Sequence, residues 1–182
     1  DVRMVLMKGY DPQGFVFYTN TGSAKGTQLI DSRKAAIVFH WKSLQRQVRV
    51  RGPIEQVSDA DADAYFQSRP RDSRIGAWAS AQSRPVDSRA ALERAVVDTA
   101  RRFGTPIPGP EDLPEQRDLG ADIPRPPNWG GYDVHAEAVE LWIEGESRIH
   151  DRARWTRSLT PSVDRHAPPT ALGPWSVTRL QP

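Results

Sequence analysis

Between Arg46 and Val57 the chain reads RQVRVRGPIEQV, with Val48 and Val50 alternating against Arg49 and Arg51. A period of two sends successive side chains to opposite faces, so this stretch specifies an extended strand with one face buried. The Gly52-Pro53 pair within it predicts a bulge or an edge position, because proline cannot donate to a sheet ladder. Other short β-rich runs are RMVLM (Arg3 to Met7), GFVFYTN (Gly14 to Asn20), AAIVFH (Ala35 to His40), VELWIEG (Val139 to Gly145), RIHDRARW (Arg148 to Trp155) and WSVTRL (Trp175 to Leu180). The first two are separated by KGYDPQ, whose Asp-Pro step and neighbouring glycines predict a hairpin. Six or seven strands with few helices point to a mainly β fold with some α: a small antiparallel barrel with helices on its outside.

Three helices are expected. The run SRAALERAVVDTARRF places Leu92, Ala95, Val96, Thr99 and Phe103 on one stripe, with Asp87 or Ser88 as N-cap and Arg101 and Arg102 near the C-terminus. Ser58 to Ser68 reads as a second helix, capped by Ser58 with acids in its first turn. A short third follows Gly22-Ser23. From Gly104 to Asn128 the composition turns to proline, glycine and charge, which predicts a long surface connection that supplies no core, rather than a domain boundary. A length of 182 residues fits one domain over 1–182.

A formal charge of only +2 argues against a surface that coats nucleic acid. Only Lys8, Lys25, Lys34 and Lys42 among the 25 basic residues are lysine, so guanidinium, which grips phosphate and carboxylate at two points, carries most of the positive charge. With no cysteine, thiolate metal sites, disulfides and cysteine nucleophiles are excluded. No apolar run approaches the roughly 20 residues that span a bilayer, and the first residues lack a secretory layout, so a cytoplasmic protein without membrane contact is expected. His40, His135, His150 and His166 make no short-spaced ligand pair, which predicts no metal site. Serine-elbow, P-loop and dinucleotide-binding patterns are missing.

What remains are clusters of arginine, lysine, serine and aromatic residues. RPRDSR offers Arg69, Arg71, Arg74 and Ser73; a helix starting near Asp72 would add free backbone N–H groups, as an anion site requires. GSAKG (Gly22 to Gly26) combines a turn, a hydroxyl and an ammonium. If RIHDR is a strand, Arg148, His150 and Arg152 share one face, where they repel one another unless an anion or an acid lies between them. NWGGY is read from its residues alone as a glycine pair in a turn. Each basic cluster taken singly is also what a solvated loop looks like; two phosphate-capable sites in one small barrel suit a cofactor and a substrate.

In order along the chain, RMVLMKGYDPQGFVFYTNTGSAKG, WKSLQRQVRVRG, YFQSRPRDSRIGAWASAQS, PNWGGY, VELWIEGESRIHDR and the terminal RLQP resemble the pyridoxamine 5'-phosphate oxidase family. The resemblance implies a split β-barrel homodimer holding FMN at the subunit interface. It implies FMN contacts from Arg3, Met4, Val5, Leu6, Met7, Lys8, Tyr18, Thr19, Lys25, Gln47, Trp142 and Arg152, with Gln82 and Ser83 reaching across from the partner. It gives the substrate phosphate to Lys8, Tyr65, Arg69 and Ser73, and sets Arg148 and His150, the catalytic pair, over the pyridine ring. The implied reaction oxidises pyridoxamine or pyridoxine 5'-phosphate to pyridoxal 5'-phosphate with O₂, releasing H₂O₂. Two alternatives are a related flavin oxidase of the phenazine type and a non-catalytic binder of FMN or pyridoxal phosphate. The chain departs from the family pattern at Ala24, where a basic residue commonly precedes the lysine, at Asp133, where an arginine is usual, and at Leu141 and Ile143, which replace an aromatic and an amide. The helix and first strand that normally precede Arg3 in the family are absent from this sequence.

Overall fold

The computed structural model describes residues 1–12, 14–104 and 122–182. Among the described residues, ten strands and four α-helices follow in the order β1 (Met7–Tyr10), β2 (Gly14–Asn20), α1 (Ala24–Ser32), β3 (Lys34–Trp41), β4 (Arg46–Gln56), α2 (Asp59–Gln67), α3 (Arg71–Ala79), α4 (Arg89–Arg102), β5 (Trp129–His135), β6 (Ala138–Ile143), β7 (Asp151–Thr156), β8 (Leu159–Thr160), β9 (Thr170–Ala171) and β10 (Ser176–Arg179). They fall into two compact units: residues 1–3, 18–28 and 57–131 form one, and 4–17, 29–56 and 132–182 the other.

The helical unit holds α2, α3 and α4. Ser58 caps α2, its side chain accepting from the Asp61 N–H, and Ser88 caps α4 through the Ala91 N–H, choosing between the two caps expected for that helix. Phe66, Ile75, Ala100, Ile123 and Trp129 form the core, with Val96, Phe103 and Trp78 packed against it. Ile123 is fully buried, which overturns the expectation that the proline-rich connection supplies no core. One isoleucine suffices to anchor a segment whose composition reads as solvent-exposed. The connection's residues 105–121 lie outside the described residues.

The second unit is built on an antiparallel sheet in the order β1-β2-β5-β4-β6-β7-β10, with β3 also paired to β4. The hairpin expected at the start is present, but its first strand begins at Met7 rather than Arg3, with a register irregularity between Met7 and Gly9. β4 is not an edge. It pairs with β3 over Arg46 to Pro53, while on its other side it pairs with β6 over Arg46 to Arg51 and with β5 over Ile54 to Gln56. Gly52-Pro53 lies where the partner changes, so the proline's missing N–H falls between two ladders. A Cβ on Gly52 would collide with the His135 carbonyl oxygen, which is why glycine stands there. NWGGY is likewise not a turn: its Trp129 to Tyr132 open β5. Phe17, Leu29, Tyr132 and Val134 form this unit's core.

Candidate functional site

In the helical unit an aromatic stack carries an arginine. Tyr18 of β2 stacks on Tyr65 of α2 at 4.1 Å and on Trp129 at 5.3 Å between ring centroids, and Phe66 meets Trp129 edge-on at 5.0 Å. Gly131 makes this possible, since a Cβ there would lie 2.7 Å from the Tyr18 ring and 2.9 Å from Val57. Arg69, just beyond α2, lays its guanidinium 5.0 Å from the Trp129 centroid and 5.5 Å from that of Phe66. One terminal nitrogen of Arg69 is buried and has no hydrogen-bond partner among the described residues. Burial lowers the Arg69 pKa, with Tyr65 pulling the other way. A cation in that condition is poised for a charge-assisted bond to an anion.

Ser73 sits in the first turn of α3 as foreseen, its N–H bonded to the Pro70 carbonyl. The rest of that basic stretch is structural. Arg71 is buried beside Asp72 at 3.6 Å, Arg74 donates to Gln67 at 2.9 Å, and Trp78 donates to the Pro124 carbonyl at 2.7 Å. Gln82 and Ser83 are exposed beyond α3, Ser83 in a left-handed conformation at φ 69°.

Lys25 opens the same unit's second polar group. Its ammonium donates to the Thr19 hydroxyl and lies 3.5 Å from Ser23 Oγ. Burial, and then the Arg3 charge, lowers its pKa. The Ser23 hydroxyl is already committed, accepting from the Gly26 N–H and donating to the Asn20 carbonyl, so it braces α1 rather than offering itself to a ligand. Arg3 pairs with Asp1 at 3.1 Å. In the second unit Met4 and Leu6 are largely exposed, and Lys8 lies at the irregularity of β1.

Strand register sets Gln47, Trp142 and Arg152 in one row across β4, β6 and β7, each directly opposite the next. These residues lie far apart in sequence, and all three were expected to serve the flavin. Arg148 and His150 do not join them on a strand face. β7 begins only at Asp151; Ser147 and Arg148 have φ 51° and 67°, so the chain turns sharply before the strand. Gly145 permits that turn, because a Cβ there would strike the Ile149 carbonyl. His150 nevertheless reaches the row, its ring 4.7 Å from that of Trp142. Its Nδ1 accepts from the Gly145 N–H at 3.2 Å, which puts the proton of the neutral ring on Nε2.

Beside the row, on the same face of the sheet, stands a residue that the sequence reading did not single out for the site. Glu140, with 5% of its side chain exposed, accepts from Arg49, from Arg152 at 2.8 and 3.1 Å and from Arg154 at 2.7 and 3.0 Å. Despite the cost of burial, these arginines hold its carboxyl down at about 2. A second unforeseen cluster joins β4 to β5. His135 Nε2 lies 2.8 Å from Glu55 and 3.9 Å from Asp133, whose strand positions face each other. Ligand-type atoms of all three lie within 4.8 Å: Asp133 and His135, two apart on β5, share a strand face, a spacing the expectation of no metal site passed over, and only Glu55 comes from a distant strand. Burial above all, with Asp11 and Glu55 adding, raises the Asp133 pKa against the pull of His135 and the Phe15 backbone.

Comparison with known proteins finds two matching segments. Residues 1–102 match the family model described as pyridoxamine 5'-phosphate oxidase, and residues 129–182 match the pyridoxine 5'-phosphate oxidase C-terminal dimerisation region. Pyridoxine/pyridoxamine 5'-phosphate oxidases of Brucella canis and Brucella abortus (strain 2308) are each 49% identical over the whole chain, which spans 77% and 75% of their lengths. Among solved structures, PhzG from Burkholderia lata 383 in complex with tetrahydrophenazine-1-carboxylic acid aligns with TM-score 0.75 at 24% identity, over 99% of this chain and 74% of that one. A pyridoxamine 5'-phosphate oxidase-related, FMN-binding protein from Nostoc punctiforme aligns with TM-score 0.61 at 19% identity, over 99% and 80%. At those identities the two structures speak for the fold, a split-barrel-like antiparallel sheet with helices.

Proposed function

We infer the chemistry of these sites from one premise: the chain belongs to the pyridoxamine 5'-phosphate oxidase family. It is an FMN-dependent enzyme that oxidises pyridoxamine and pyridoxine 5'-phosphates to pyridoxal 5'-phosphate. The observation that carries this reading is Arg69, a partly desolvated guanidinium held over the Trp129 ring with one buried nitrogen that has no hydrogen-bond partner among the described residues. That geometry suits a phosphate dianion and gains little from a neutral ligand. The dimerisation region at 129–182 makes the protein a homodimer.

Each unit, taken by itself, holds donors of the kind FMN requires: in one, the half-buried Lys25 ammonium suits a phosphate, and in the other the Gln47, Trp142 and Arg152 row suits a flavin ring. When bound, FMN supplies the hydride acceptor and passes the electrons to O₂ as H₂O₂. The protein's own part is positioning. Arg69 binds the substrate phosphate, with Lys8, Tyr65 and Ser73 assigned to the same group. Arg148 orients the pyridine ring. His150, its Nδ1 accepting from the Gly145 N–H, presents Nε2–H as a hydrogen-bond donor that orients the substrate's 4'-heteroatom, and the proton which that atom loses as the hydride leaves passes to solvent water. Thr19 and Arg3 complete the Lys25 end, while Met4 to Lys8 and Tyr18 line the flavin. Gln82 and Ser83 serve the partner's flavin across the interface. The enzyme works in the cytoplasm.

Anaerobic mixing of the FMN-loaded protein with pyridoxamine 5'-phosphate tests this. The flavin absorbance near its visible maximum should bleach and then return on admission of air with release of peroxide. Bound ligand without bleaching would mean a non-catalytic binder.

A further inference from the structure

Glu140 is one carboxylate shared by three guanidiniums. Arg49 and Arg154 lie directly opposite it on β4 and β7, so their pairing follows from strand register. Arg152 does not lie opposite it. Its strand partner is Trp142, two residues further along β6 on the same face, and it reaches Glu140 diagonally. Its Nε and Nη2 both donate to Oε1 of Glu140, at 3.1 and 2.8 Å, and its Nη1 donates to the Gln181 carbonyl at 2.8 Å. A guanidinium has five N–H groups, so three are committed and one remains on each terminal nitrogen. The side chain is thereby locked in one rotamer beside Trp142, with two donors left over.

We propose that Glu140 is a positioning residue that fixes the Arg152 guanidinium so that its two remaining N–H groups are presented to the flavin. The proposal rests on the reading that Arg152 contacts FMN. Arg152 without this anchor has the rotamer freedom of any long side chain and must be ordered anew at each binding event. Arg49 and Arg154 occupy both carboxylate oxygens from the other sides, so that Glu140 cannot swing away with its partner. The charge balance serves the same end: three cations on one anion leave a surplus positive charge on this face, favourable to an electron-rich ligand.

A double-mutant cycle on FMN affinity tests it, read as quenching of FMN fluorescence on titration into the apoprotein, with thermal unfolding recorded for every variant. Glu140→Gln is expected to weaken FMN about tenfold in the native background. In an Arg152→Met background the same change should have no further effect, because nothing is left to position. Glu140→Asp retains the charge but shortens the reach; it should weaken FMN comparably, and it carries the cycle if Glu140→Gln does not fold. Equal losses in the two backgrounds would overturn the proposal, as would full FMN affinity in Glu140→Asp. If Arg152→Met itself binds FMN normally, the assignment of Arg152 to the flavin fails and the proposal falls with it, an outcome distinct from a failure of Glu140 alone.

Discussion

Residue by residue, the candidate site is a set of cations whose surroundings differ. Arg69 is desolvated, stacked and short of one partner; Arg71 and Arg74, from the same basic stretch, are held by packing and by neighbours on α2 and α3. The sequence alone could not have separated them, since all three are arginines within six positions. Arg69→Ala should therefore raise KM for pyridoxamine 5'-phosphate by about ten- to a hundredfold, the worth of a charge-assisted phosphate contact. FMN should remain bound, and steady-state kinetics on the flavin-loaded variant checks both points; an unchanged KM removes Arg69 from the phosphate site.

At the scale of elements, β4 and β5 do most of the positioning. β4 contributes Gln47 and Arg49 to one end of its length and Glu55 to the other, changing partner at Gly52-Pro53. β5 supplies Trp129 under Arg69, Gly131 beneath Tyr18, and Asp133 and His135 facing Glu55. Gly131→Ala would press a methyl group to 2.7 Å from the Tyr18 ring and 2.9 Å from Val57. Overpacking of that kind costs about 1–3 kcal/mol. Thermal unfolding should register this as a lower Tm, with a change in the near-ultraviolet signal of the tyrosine–tryptophan stack.

For the whole molecule, two buried carboxylates set opposite pH dependences. Glu140 is ionised in the folded protein down to about 2, below its unfolded value, so its stabilisation is present above the unfolded pKa and is lost as pH falls through 2. With the arginines partly open to water, it amounts to on the order of 2 kcal/mol. Asp133 has the opposite sign. Its folded pKa is raised above the ordinary 3.8, so its contribution is fully present below that value and is lost as pH rises through the folded pKa. Asp133→Asn should accordingly raise Tm at pH 7 by about 2–4 °C, for about 1 kcal/mol, and lose that advantage near pH 3. Unfolding scans across pH check both signs; a gain at pH 3 as large as at pH 7 would rule out the buried charge as its source.

The strands and helices were mostly legible because period and caps are local: the alternation at Val48 and Val50, the cap at Ser58 and the stripe before Phe103 needed no distant partner. So was the family, through short motifs that keep their order along the chain. Misreadings arose where distant chain decides. Gly52-Pro53 read as a bulge or an edge because a proline signal cannot say that a strand changes partner, and Ile123 read as loop because its neighbours are polar. RIHDR read as a strand face because alternation does not reveal the turn at Ser147 and Arg148. Residues and their chemistry were in the sequence; pairing was not. Glu140 meets Arg49 across 91 positions, and Glu55 meets His135 across 80, through register between strands that only the folded sheet brings together. The proton on His150 Nε2 is likewise set by a backbone N–H that the fold delivers to Nδ1.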